Sequence, residues 1–195
     1  YHTIIPNLTI IMDLLKFNDI KLDDVTICKA CASEKINLYL AKILYNNKPL
    51  YTDSLKMVVS DMDIDNKKIC FQFSTESNDF YKFIINLDDT LKMKLSNESE
   101  SVLGFKSSQR NINNLFKTTI QIPVNVTDAP YLHFNYDNNI KIYDINGKNI
   151  LFKDIKSNYE TVLSFSIKNI EFYKNKINLS LTLQTIKVLH DIEQS

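Results

Sequence analysis

The C-terminal two thirds of the chain alternate apolar and polar positions in short runs. Ile69, Phe71 and Phe73 take every second place, as do Leu91, Met93 and Leu95. Ile120, Ile122, Val124 and Val126 form a longer run with Pro123 inside it. Leu132, Phe134 and Tyr136 follow, then Ile140 and Ile142. Leu163, Phe165 and Ile167 make another run, and Ile177, Leu179, Leu181 and Leu183 the most regular one. A period of two puts alternate side chains on one face of a strand, so each run predicts a half-buried strand. Pro cannot donate to a ladder, which makes the 120–126 run an edge strand or a bulged one. Asp137-Asn138-Asn139, Asn146-Gly147 and Lys174-Asn175-Lys176 separate runs and predict turns, with Asn-Gly the strongest hairpin signal.

Helical spacing is rarer. Leu55, Val58, Val59 and Met62 predict a short helix from Asp53 to Met62, with Thr52 or Asp53 as its N-cap. Ser96 to Glu100 opens a single turn with acids at its positive end, and Gly104 is placed to close it. Leu8, Ile11, Met12 and Leu15 fit one helix face or a buried strand equally well. Many short strands divided by polar turns predict an all-β chain, a sandwich or barrel with one to three short helices. Residues 1–195 read as one domain, with no linker or repeat to divide them.

Composition sharpens this. There are 25 Ile, 22 Lys and 22 Asn, but one Arg, two Gly and four Ala. That bias follows AT-rich codons and reports a genome before a function. Few Ala argue against a helical bundle, while Ile, Phe, Tyr and Thr suit strands. With two Gly, turns must use Asn and Asp, which tolerate left-handed backbone. Neither a dinucleotide fingerprint nor a P-loop can be written with Gly104 and Gly147. The start at Tyr1, without Met, leads to the expectation of a fragment or a processed product.

Charge and hydropathy narrow the partners. The 23 basic residues balance 23 acidic ones, which removes the usual electrostatic case for binding nucleic acid. The expectation is therefore no direct nucleic-acid partner. No apolar run approaches the roughly 20 residues of a membrane helix, and no basic and apolar leader opens the chain.

Candidate chemistry is sparse. Cys28-Lys29-Ala30-Cys31 is a CxxC, but the remaining ligand candidates, Cys70, His2, His133 and His190, form no second paired motif. Asp61, Asp63, Asp65 and Asn66 resemble the start of a calcium loop, yet Asn66 and Gln72 stand where Gly and Glu are needed. A solvated turn accounts for them better. His133, between Leu132 and Phe134, points to solvent and has no nucleophile motif beside it. The sequons at Asn7, Asn97, Asn125 and Asn178 are background in an Asn-rich chain. The scattered Lys residues fit solvated faces and edge protection. No catalytic, cofactor-binding or metal residue is assigned, no cofactor is expected, and the chain reads as no enzyme.

One stretch carries a resemblance. Phe83 to Leu87 and Leu91 to Leu95 read as strand, followed by Ser96-Asn97-Glu98-Ser99-Glu100-Ser101-Val102 and Leu103-Gly104-Phe105. Upstream, Ile36 to Tyr45 reads as a strand, Tyr51 to Val59 as a Tyr-led helix and Lys68 to Phe73 as another strand. Over positions 36–105 this pattern resembles minor capsid (penton) proteins of virophages, Polinton-like viruses and adintoviruses. The later strands, across Pro130 to Tyr143, do not map onto that pattern.

The resemblance implies a jelly-roll β-sandwich, two four-stranded sheets packed face to face. It implies a structural subunit that forms a homopentamer at capsid vertices, with itself and a major capsid protein as partners. It places the chain in the virion, assembled in an infected host cell. Val102, Leu103 and Phe105 would then plug one end of the sandwich, with Ser96 or Asn97 capping the turn. Rival expectations are a β-sandwich binding module for protein or carbohydrate, a sliding-clamp-like replication accessory with Lys on one surface, and an enzyme whose site converges in a pocket.

Overall fold

The computed structural model describes residues 14–125 and 127–189. The chain runs through β1 (Leu14–Leu15), β2 (Val25–Ile27), β3 (Cys31–Ala32), β4 (Leu38–Tyr45), β5 (Lys48–Asp53), β6 (Met57–Asp63) and β7 (Lys68–Phe73). Three helices follow, α1 (Asn78–Asn97), α2 (Ser99–Leu103) and α3 (Gln109–Leu115). Then come β8 (Tyr131–Asn135), β9 (Lys141–Tyr143), β10 (Glu160–Tyr173) and β11 (Lys176–Val188).

Five of these strands close on themselves. β6 pairs β7 and β7 pairs β8, both antiparallel. β8 meets β11 in parallel through Asn135 and Thr182. β11 forms a long antiparallel hairpin with β10, and the start of β10 returns to β6 through Glu160 and Thr161. The circuit β6-β7-β8-β11-β10 is thus a barrel closed at one seam by a single parallel pairing. β10 is 14 residues long and outruns that barrel. Its remaining edge carries β5 at Ser164–Ile167 and β4 at Asn169–Tyr173.

Aromatic side chains fill the barrel. Phe71, Phe134 and Phe165 are fully buried, and Phe134 and Phe165 meet edge to face with centroids 5.1 Å apart. Helix α1 caps the interior: Phe80, Ile84, Leu87, Leu91 and Leu95 are fully buried, and Phe80 stands 5.9 Å from Phe165. Their spacing of three and four places them on one face of a 3.6-residue helix.

The β-rich class expected from the sequence is present. A jelly-roll connectivity is not confirmed by this pairing, which runs through one connected sheet. Several local expectations are corrected. Phe83–Leu87 and Leu91–Leu95 are α1, because the 20-residue stretch presents one apolar face to the barrel. The predicted helix from Asp53 to Met62 is the end of β5, a turn and β6: Met57 and Val59 point inward while Val58 lies between them on the outer side. The 120–126 run forms no strand among the described residues; Ile120 packs into the core and Gln121 pairs Tyr131. Phe105 is exposed, so Val102 with Leu103 fills the core there. Neither Ser96 nor Asn97 caps α2; Ser99 instead receives the Ser107 N–H at 2.9 Å.

Other expectations hold. β4, β7, β8, β10 and β11 coincide with sequence-derived strands. Asn46 and Asn47 both take positive φ in the β4–β5 turn, and Gly104 closes α2 at φ 81°. Leu8, Ile11, Met12, Val126, His2 and His190 lie outside the described residues.

Candidate functional site

The pleat turns one set of side chains on β7 and β8 away from the barrel core. Across this ladder Lys68 stands opposite Asn135, Cys70 opposite His133, and Gln72 opposite Tyr131. The alternate positions, Ile69, Phe71, Leu132 and Phe134, are buried. The polar members of the same period-2 pattern therefore form one outer surface.

Its centre is the pair Cys70 and His133, with Sγ 2.8 Å from Nδ1. The His133 ring also meets Tyr131 edge to face at 5.2 Å. Burial pushes the Cys70 thiol up to about 11 and the His133 imidazole below its ordinary value. Burial favours the uncharged form of each group, a thiol–imidazole contact. A raised thiol pKa disfavours the thiolate that a nucleophilic cysteine uses. The ring of His133 is instead a flat, uncharged surface facing outward.

Beside this surface lies an open groove of about 650 Å³. Lys68, His133 and Asn135 line one side, Asn178 and Ser180 of β11 the floor, and Lys117 to Gln121 the opposite wall. Asn135 Nδ2 donates to Ser180 Oγ at 3.3 Å, bridging the barrel seam. The wall is pinned at three points. Lys117 N–H donates to the Ile177 carbonyl at 2.8 Å, and Gln121 exchanges two backbone bonds with Tyr131. Between them, the Asp88 carboxylate of α1 accepts from both the N–H and the hydroxyl of Thr119.

The groove has a charge bias that the whole chain lacks. Lys35, Lys68 and Lys117 line it, against one carboxylate, Glu171. All three lysines are exposed. They come from the β3–β4 loop, from β7 and from the segment after α3, so their convergence is a product of folding. Sequence reasoning treated them as scattered; the one available signal was Lys68, on the polar side of the β7 alternation.

Of the other sequence candidates, Asp61 stands opposite Cys70 in the β6–β7 ladder and Asn66 lines the groove, whereas the two CxxC cysteines do not line it. Cys28 is half-buried and Cys31 exposed, both free thiols. Asp63 ends β6, and its carboxylate accepts from the Asn66 backbone at 3.0 Å and side chain at 2.8 Å across the β6–β7 turn. Those bonds hold the Asp63 carboxyl below its usual range and make the acidic run a turn.

Small Greek-key barrels of five strands, the OB-folds, bind oligonucleotides and oligosaccharides on the face of their second and third strands. In this barrel those strands are β7 and β8. Solved structures with a similar fold are known. The single-stranded DNA-binding protein from bacteriophage Enc34 aligns with a TM-score of 0.51 at 10% identity, covering 85% of this chain and 90% of that one. Its C-terminal truncation aligns at 0.51 and 11% identity, over 84% and 96% of the two chains. The same phage protein in complex with ssDNA aligns at 0.51 and 9% identity, over 85% and 96%. No family model and no curated protein matches the chain.

These neighbours correct the functional expectation. A penton subunit, a homopentamer partnered by a major capsid protein and a chain with no direct nucleic-acid contact were expected. These three structures are of one single-stranded DNA-binding protein, in one case in complex with ssDNA. Net neutrality is a weak ground for excluding nucleic acid, because it averages over the chain, whereas a bound strand meets only the local field of a groove.

Proposed function

We propose that this protein binds single-stranded nucleic acid along the outer groove of β7, β8 and β11, as a binding protein and not as an enzyme. The observation that carries this is the groove itself. It lies on the face that OB-folds use for oligonucleotides, and it brings Lys35, Lys68 and Lys117 around the outward ring of His133. Single-strand binders combine a positive groove that follows the backbone with rings on which bases stack. Lys supplies the charge here, and its point-like ammonium holds phosphate without the bidentate geometry of Arg. Binding of that kind is tolerant of sequence. The solved phage neighbours, which bind ssDNA, support the reading through their fold.

The test is fluorescence anisotropy with a labelled oligothymidine of roughly 12 nucleotides, within the ~4–16 nucleotide footprint of one OB-fold. The single strand should bind, bind more weakly as salt rises, and exceed a duplex of the same length. His133→Ala should weaken binding by about 1–3 kcal/mol, the range for one base–ring stack. Salt-insensitive binding, or equal affinity for duplex, would overturn the proposal.

A further inference from the structure

We infer that the nucleic-acid track does not end at the barrel but continues onto the sheet that β4 and β5 add to β10, where Tyr51, Lys42 and Lys168 form a second subsite. This rests on the proposed function and extends it to a longer footprint.

A second open groove, of about 250 Å³, lies over the junction of β4, β5, β10 and β11. Two cross-strand pairs join it to the first. Ser180 lines the first groove and stands opposite Asn169, which lines the second. Asn135 lines the first and stands opposite Thr182, which lines the second. Residues directly opposite on neighbouring strands share a face, with Cβ atoms about 4.5–5.5 Å apart. The two grooves are therefore one surface crossing β11 and β10, floored by amide and hydroxyl groups.

The far end repeats the chemistry of the near end. Lys42 and Lys168 stand against one carboxylate, Asp137, and the half-buried ring of Tyr51 lies beside them. Tyr51 is held in place on both sides: it pairs Ser166 of β10 and Leu14 of β1. A ring fixed in a sheet loses little freedom on stacking against a base. Cations at both ends with neutral hydrogen-bonding groups between them suit a phosphodiester chain laid across the sheet. An acidic peptide would lack bases for the rings.

Oligothymidines of about 4 and about 12 nucleotides separate the two ends. The short strand should occupy the barrel groove alone. Lys168→Glu and, separately, Tyr51→Ala should then weaken the long strand about ten-fold and leave the short one unchanged, since one stacked base is worth about 1.4 kcal/mol or more. Lys168 is exposed, so its variant keeps the fold even if the Tyr51 variant does not. Equal losses for both lengths, or no loss for the long strand, would overturn the extended track. A parent protein that binds neither length would overturn the proposed function itself, and the track with it.

Discussion

Thr119 is tied to Asp88 by both of its donors: its N–H meets Oδ2 at 2.8 Å and its hydroxyl meets Oδ1 at 2.6 Å. This links α1, which caps the barrel, to the wall of the groove. The carboxylate is almost fully buried, and the pair holds the 117–121 segment over the outer face. Core and candidate site are joined through one side chain.

Removing that side chain should loosen the wall. Asp88→Ala leaves two donors of Thr119 unsatisfied, which costs about 1–3 kcal/mol. Urea denaturation checks the stability, and faster amide exchange at Thr119 and Gln121 checks the location. A loss of stability with unchanged exchange there would show that Asp88 serves α1 alone.

The same group gives a pH signature. Burial raises the Asp88 carboxyl above its ordinary 3.8, outweighing the bonds from Thr119 and the charge of Lys92. A folded-state pKa raised in this way makes the group's stability full below the unfolded value and lost as pH rises through the folded one. Asp88→Asn cannot ionise. Its urea midpoint relative to the parent should therefore climb as pH rises above about 4. A difference that stays flat as pH rises contradicts the burial argument.

Lys68 and Lys117 should act through phosphate. For single strands the slope of log affinity against log salt changes by about 0.7 per phosphate neutralised. Lys68→Gln and Lys117→Gln should each shallow the slope by about that amount and weaken binding evenly across oligonucleotide sequences. Titrations at several salt concentrations read this directly. An unchanged slope places the lysine outside the track.

The thiols should divide by environment. Cys31 is exposed, whereas Cys70 is buried beneath His133 with its thiol pushed up to about 11. The thiolate is the reactive form. A thiol reagent at mildly alkaline pH should modify Cys31 quickly and Cys70 only after unfolding. Mass spectrometry of the labelled peptides distinguishes them, and early labelling of Cys70 would break the account of the pair.

Gly104 should resist replacement for backbone reasons alone. It closes α2 at φ 81°, and a Cβ there meets nothing within 4 Å. Gly104→Val should cost about 1–2 kcal/mol through left-handed strain. Gly104→Asn should cost less, because Asn tolerates that region. Thermal melts of the two variants decide it, and a parent-like Val variant would sink the argument.

Two local patterns in the sequence point away from the elements that form, for different reasons. Leu91, Met93 and Leu95 alternate within five residues, yet Phe80, Ile84, Leu87, Leu91 and Leu95 repeat every three or four over the whole of α1. A short window sees the first pattern, and burial obeys the second. The segment from Leu55 to Met62 failed in the opposite direction. There the bulge between Val59 and Asp61 in β6 shifts the register and breaks the period that a strand would show.

The sequence by itself determined the β-rich class, the hairpin of β10 and β11, the Asn-built turns and the closing role of Gly104. Each depends on neighbours a few residues apart, where local sterics and alternation act. Only the tertiary structure decided that β8 meets β11 in parallel, that His133 covers Cys70, and that Lys35, Lys68 and Lys117 share a groove. The Cys70–His133 contact joins positions 63 residues apart, and Lys35 stands 33 residues before Lys68 and 82 before Lys117. Composition reports charge as a sum, and only the folded backbone, by fixing which strands are neighbours, turns that sum into a local field.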